Sequence, residues 1–242
     1  MNDVTLIADL HCHTLASTHA YCTVTELARM ARENGLLAVA CTDHGTGGPD
    51  SPHLWHFSNL HVLPKQIEGI RVLQGAEANV IDFGGAIDLP AGILARLELV
   101  IASMHGGIMP EGHHMEACTA AWLKVAENPD IDIIGHSGIP EYTYDFETVI
   151  PAFGRGGKAV EINETTFRAR SSSIPNCRRI AETCKKYGVR VAVDTDAHYG
   201  TQAGRAPQSL AMLREIDFPP ELIVNSSLER LAAFLSERGV AL

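Results

Sequence analysis

The most constraining feature of this chain is a pair of histidines, separated by a single residue, closing an apolar run near its start: Asp9-Leu10-His11-Cys12-His13. Residues two apart on a strand project to the same face, so both imidazoles can grip one ion while Cys12 turns away. The run behind them, at about residues 4–10, reads as a strand, and similar runs recur at 36–42, 70–78, 98–103, 131–135, 158–163 and 189–194. At or just past their ends stand Thr42-Asp43-His44, Gly75-Ala76-Glu77, Ser103-Met104-His105, Gly135-His136-Ser137 and Asp194-Thr195-Asp196-Ala197-His198. His19 comes from the loop after the first strand. The sixth strand brings no obvious ligand and offers Glu161 and Asn163 instead.

Amphipathic stretches alternate with these runs, which is the βα rhythm of a parallel sheet. Thr23-x-x-Glu26 is a capping box opening a helix that Gly35 stops, and Ser226-x-x-Glu229 opens the last helix in the same way, with Gly239 behind it. Helices also read at 115–127 and at 176–187, the latter ending at Gly188, while Asn79 to Leu89 reads as a small hairpin around Gly84-Gly85. The expected fold is α/β: a distorted (β/α)7 TIM-like barrel, one domain over residues 1–242. In such barrels the chemistry sits at the C-terminal mouth of the strands.

Composition narrows the classes. With 45% hydrophobic residues the chain can fill a full core, yet no stretch approaches the 18 apolar residues of a membrane span. The N-terminus lacks the basic start and cleavage site of a secretory signal. Six cysteines without paired spacing point to reduced thiols in a cytoplasmic protein. A net charge of −10 argues against a nucleic-acid partner, which would need a basic face.

One histidine in an apolar segment is more often a core residue than a ligand, but accident does not place so many at successive strand ends. The candidate metal ligands are therefore His11, His13, His19, His44, Glu77, His105, His136, Asp196 and His198, with Glu77 able to bridge two ions. Asp9, Asp43 and Asp194 read as carboxylates orienting neighbouring imidazoles, with plain turn or core hydrogen bonding as the alternative. The Pro49–Leu63 segment is expected to cap the pocket, where His56 is a candidate substrate contact beside His53 and Trp55. Arg168 and Arg170 are candidate phosphate anchors against a reading as solvated loop charges. His61, His113 and His114 read as solvated or structural. Gly156-Gly157-Lys158-Ala159 fails the phosphate-loop pattern, no H-E-x-x-H occurs, and Gly135-His136-Ser137-Gly138 is too short for a nucleophile elbow. With no serine or cysteine nucleophile on offer, a metal-bound hydroxide is the expected attacking group.

The segments D-L-H-C-H-T, A-S-T-H-A-Y, T-D-H-G, W-H-F, G-A-E-A-N, H-S-G and T-D-A-H together resemble the polymerase-and-histidinol-phosphatase (PHP) family. A-S-T-H-A-Y and W-H-F are most similar to its stand-alone, YcdX-type phosphatase branch, and the resemblance runs from about residue 5 to residue 240. It implies a distorted seven-stranded barrel holding three divalent metal ions, commonly zinc, with manganese or iron compatible with the same donors. On that resemblance His11, His13 and Asp196 hold one ion, Glu77 bridges to a second held by His105 and His136, and His19, His44 and His198 hold the third. The implied activity is hydrolysis of a small phosphomonoester. Two departures lie near the mouth: Gly-Gly-Ile-Met-Pro after His105, and Ser137 where proline is expected. Two alternatives stand beside this reading. An amidohydrolase-type C–N hydrolase shares the H-x-H barrel site but lacks partners like His19 and His44. A non-catalytic metal-binding module would have no need of so complete a ligand set.

Overall fold

The structure, a computed structural model, describes residues 4–49, 51–111 and 114–242. Its strands are β1 (Ala8–Asp9), β2 (Ala38–Cys41), β3 (Gln66–Ile67), β4 (Ile70–Asn79), β5 (Leu99–Ser103), β6 (Ile133–Ile134), β7 (Ala159–Asn163) and β8 (Val191–Asp194). All but β3 run parallel and follow one another in chain order around a nearly closed barrel, and β3 folds back antiparallel on β4. These seven parallel strands fall on the seven apolar runs of the sequence, with β4 passing the end of its run by one residue, Asn79.

Alternation along each strand builds two layers. Ala8, Ala38, Ala40, Leu73, Leu99, Ile101, Ile133, Ala159 and Ala192 form one buried cluster. It draws on every parallel strand, so it can only be the barrel interior. Val224, Leu231, Phe234 and Leu235 from the C-terminal segment close its floor. The alternate residues Val100, Ala102, Ile134, Val160, Ile162 and Val193 point outward and pack with Trp122, Phe153 and Ile180 of the surrounding helices. Followed toward the mouth, the inward positions turn polar: Leu73 gives way to Glu77, Ala159 to Glu161, Ala192 to Asp194. The floor is oil and the mouth is titratable.

Between β1 and β8 the ladder is incomplete, with a parallel bridge only at Cys12–Ala197 near the mouth. Below it the Asn225 side chain fills the seam. Its amide nitrogen donates to Ala8 O (2.9 Å), Val193 O (2.8 Å) and Asp194 Oδ1 (3.1 Å), while its Oδ1 accepts from Val193 N–H (3.1 Å). Asn225→Ala would strand these buried groups together and is expected to cost about 4 kcal/mol. Denaturant unfolding of the chelated protein measures it, and a loss under about 1 kcal/mol would show that the seam needs no stitch.

The helix Val24–Glu33 carries the Thr23–Glu26 capping box, and Gly35 follows at φ +88°. The hairpin at 79–89 is present, with a Val80–Ile87 antiparallel bridge. The helix Ile174–Tyr187 starts two residues before the expected 176, because its Pro175 is tolerated in a first turn. The last helix, Leu228–Ser236, is capped by Ser227, whose side chain accepts from Arg230 N–H; the Ser226 hydroxyl is already donated to Ile223 O (2.8 Å). Pro49–Leu63 is not all loop, since it holds a helix at Leu54–Asn59. His114 is exposed and caps the helix Met115–Glu127, whereas His113 lies outside the described residues. All six cysteines are buried free thiols. Among the described residues no helix is long and apolar enough to cross a membrane.

Candidate metal centre

Glu77 points into the barrel near the end of β4 and is fully buried. Five imidazoles surround its carboxylate. His136 Nε2 lies 2.8 Å and His105 Nε2 3.3 Å from Oε1. His44 Nδ1 lies 2.7 Å, His11 Nε2 3.4 Å and His13 Nε2 3.6 Å from Oε2. Asp196, just past β8, forms a second focus: its Oδ1 is 3.1 Å from His13 Nε2, 3.6 Å from His11 Nε2 and 3.6 Å from His198 Nδ1. His198 Nε2 in turn lies 2.6 Å from His19 Nε2. The C-terminal ends of six strands, with His19 from the loop after β1, thus bring all nine candidate ligands into one cluster.

Some of these approaches are hydrogen bonds, as between His136 and Glu77 or His13 and Asp196, but not all are. Glu77 Oε2, His11 Nε2 and His105 Nε2 are buried and have no hydrogen-bond partner. Buried polar atoms left unpaired cost free energy, and several aimed at common points fit cations held between them. Donor atoms lie within 4.8 Å of one another in three sets: His11 with His13 and Asp196, His44 with Glu77 and His105, and His13 with His44 and His198. Imidazole and carboxylate together suit zinc, manganese or iron. Two of the candidate ligands also sit in left-handed backbone, Asp196 at φ +55° and His136 at φ +20°. Such strain in residues other than glycine gathers at functional sites.

Behind the donors stands a layer that sequence reasoning resolved only in part. Glu161 Oε1 is 2.6 Å from His11 Nδ1, and its Oε2 accepts from His136 N–H (2.6 Å). It therefore holds the His11 proton on Nδ1 and leaves Nε2 for an ion. The signal was its inward place two residues after Ala159. Asp43 accepts from Ser17 Oγ (2.8 Å), and that hydroxyl lies 3.3 Å from His13 Nδ1. Asp9 and Asp194 follow the plainer alternative of backbone hydrogen bonding. Asp9 accepts from Thr195 and Gly204 N–H, and Asp194 from Leu10 N–H and Asn225.

The charges are set by this packing. Burial opposes the charge of Glu77, yet His11, His105 and His44 hold its carboxyl well below the usual range. Asp196 is likewise held low, against burial, by His11, His13 and Arg170. Burial pushes His13 down to about 4 and lowers His136 and His198 as well, which keeps them neutral and competent as ligands. His11 is the exception: despite burial, Glu161, Glu77 and Asp196 raise it. Its proton balances the converging carboxylates, as an ion would.

Above the cluster opens a cavity of about 460 Å³, lined by His19, His44, His105, His198 and Arg170, with Gly48, Pro49 and Ile108 among its rim residues. Arg170 Nη2 is 3.1 Å from Asp196 Oδ2, and its buried Nη1 has no partner. Arg168 is placed differently, on Thr165 Oγ1 and Thr195 O (3.2 Å each). His56 turns away from the cavity to Asp43, Nε2 to Oδ2 3.2 Å.

A model of the PHP domain matches residues 9–165. The chain belongs to the PHP family. Among its PHP relatives is a probable phosphatase of Acetivibrio thermocellus, 40% identical over 232 residues and covering 96% of each chain. Another, from Caldicellulosiruptor bescii, is 44% identical over 234 residues and covers 97% of each. Among solved structures, the histidinol phosphate phosphatase of Lactococcus lactis, complexed with zinc, L-histidinol and phosphate, aligns with a TM-score of 0.60 at 17% identity, over 88% of this chain and 92% of that one. A chain of archaeal ribonuclease P with mature tRNA aligns at 0.57 and 15% identity, over 95% of this chain and 90% of that one. Likeness at that identity shows the barrel alone, so what this PHP chain does must rest on its site.

Proposed function

We propose that this PHP chain is a metal-dependent phosphatase that hydrolyses a small phosphomonoester at a trinuclear site. One observation carries the reading: nine imidazole and carboxylate groups converge beneath a cavity, with buried donor atoms that no protein group satisfies. His11, His13 and Asp196 would hold one ion, and Glu77 would bridge to another at His105 and His136. His19, His44 and His198 would hold the third. Zinc is the first choice, supported by this donor chemistry and by the zinc in the Lactococcus lactis enzyme. Bound dications would supply Lewis acidity, neutralising phosphate oxygens and lowering the pKa of a bound water toward about 7.

The chain's own residues do the rest. Arg170 lines the cavity with one guanidinium nitrogen on Asp196 and another free, so it can take a phosphate oxygen while its own position stays fixed. Glu161 and Ser17 hold protons on the far nitrogens of His11 and His13. A cavity of about 460 Å³ suits a small substrate. Hydrolysis of p-nitrophenyl phosphate tests the proposal, comparing chelated protein with protein reconstituted with zinc or manganese. Metal-dependent turnover that His44→Ala reduces by about 100-fold or more is expected. Absence of turnover with metal bound would overturn it and favour a C–N hydrolase or a binding module.

A further inference from the structure

The hairpin at 79–89 has no task in the proposed reaction, yet its Asp88 carboxylate reaches the edge of the site. Asp88 Oδ1 accepts from Asn79 N–H (2.9 Å), and Oδ2 accepts from Gly47 N–H (2.7 Å) and from Asn79 Nδ2 (2.6 Å). Backbone N–H groups can only donate, so both carboxylate oxygens are held as acceptors. An acceptor can meet the Asn79 amide only through its NH₂ end. The other end, Asn79 Oδ1, then lies 2.6 Å from His105 Nδ1. A carbonyl oxygen accepts, so His105 carries its proton on Nδ1 and leaves Nε2 bare. That Nε2 is the buried, unpartnered atom 3.3 Å from Glu77.

A second observation shows that the surroundings are built for this carboxylate. A Cβ on Gly45 would stand 2.4 Å from both Asp88 side-chain oxygens, closer than real contacts allow. Thr46 Oγ1 also donates to Asp88 O (3.0 Å), and Gly48 of the same loop lines the cavity. The loop after β2 is therefore glycine-rich where the hairpin presses against it.

We infer that Asp88 is a positioning residue: through the Asn79 amide it fixes the His105 tautomer that can ligate an ion, and it pins the glycine loop at the cavity rim. The inference rests on the metal-dependent reading above. Without Asp88 the Asn79 amide can turn over about its two-fold terminal torsion and present NH₂ to His105. The ring would then carry its proton on Nε2, where the ion must bind.

The test uses the full chain labelled with ¹⁵N-histidine, chelated, at pH 8, where long-range ¹H–¹⁵N correlations report which ring nitrogen bears the proton. His105 should be protonated on Nδ1 in the parent and mixed in Asp88→Ala, whose metal affinity should fall roughly 10- to 100-fold. Adding Asn79→Asp to Asp88→Ala should restore both, because a carboxylate there can only accept. KM should stay raised in the double variant, since the Gly47 anchor is still missing. An Nε2-protonated His105 in the parent overturns the inference even if Asp88→Ala does not fold, and so does failure of Asn79→Asp to rescue. The two readings fail separately: an Nδ1-protonated His105 in a chain that binds no metal would keep this inference and remove the phosphatase proposal.

Discussion

Glu77→Gln is expected to lower kcat/KM by about 10³ or more while leaving the barrel folded. Glutamine keeps the volume that the five surrounding imidazoles pack against, so the change is one of charge and hydrogen. The lost charge is the one proposed to bridge two ions. The new NH₂ group would donate to imidazole nitrogens whose lone pairs the ions need, so it competes with metal where the carboxylate attracted it. Metal content by atomic spectroscopy and turnover of p-nitrophenyl phosphate should fall together. A Glu77→Gln protein that keeps its metal and its rate would remove Glu77 from the centre of the mechanism. Loss of rate with full metal content would leave it a role in the reaction but not in holding the ions.

Acidification should weaken the chelated protein well before its carboxylates titrate. His13 is pushed down to about 4 in the folded state, against an ordinary value near 6.5. Between those values the unfolded chain takes up a proton that the folded chain refuses, so stability falls as pH falls through the window. For His13 alone the span corresponds to about 3 kcal/mol. His136 and His198 are lowered too and add in the same direction. His11 is raised, so its contribution is full at low pH and fades as pH rises, which offsets part of the loss. Glu77 and Asp196 are lowered, and their support survives until pH falls below the ordinary carboxylate range. The net expectation is a Tm about 5 °C lower at pH 5 than at pH 7.5 in chelator. In the metal-loaded protein, activity should collapse over the same range before unfolding begins, because protonated imidazoles release their ions. Calorimetry with and without chelator checks both. A Tm that holds or rises on acidification would mean that His11 dominates the balance.

The strands were legible because a buried parallel strand writes itself as an unbroken apolar run, and the ligands because they close those runs. What a local pattern cannot carry is which distant group meets which. Glu161 was visible in the sixth strand, but its partner His11 is 150 residues away, so it showed as an absent ligand rather than as the support of a present one. Asn225 lies 217 residues from Ala8 and bears no mark of the seam it fills. Arg168 and Arg170 differ by two residues, yet the helix Thr165–Ala169 ends between them and sends only the second to the cavity. The direction of His56 depends on how one short helix is rotated, and its hydrogen bond to Asp43 decides it. Capping at Ser227 rather than Ser226 is a one-residue shift, below the resolution at which helix ends can be read.

The seam between β1 and β8 has a consequence for how the protein is made. His13 and Asp196 meet across 183 residues of chain, and Asn225 comes later still. At ribosomal speeds of about 5 to 20 residues per second, His11 and His13 wait roughly 10 to 40 seconds for their partners. Throughout that time the growing chain presents an H-x-H pair with no Asp196 to complete a site. Premature metal capture would meet only part of the donor set and hold correspondingly weakly. The last strand to be synthesised shuts the cylinder and delivers the missing ligands in one movement, so an ion taken up then would clasp the chain's beginning to its end.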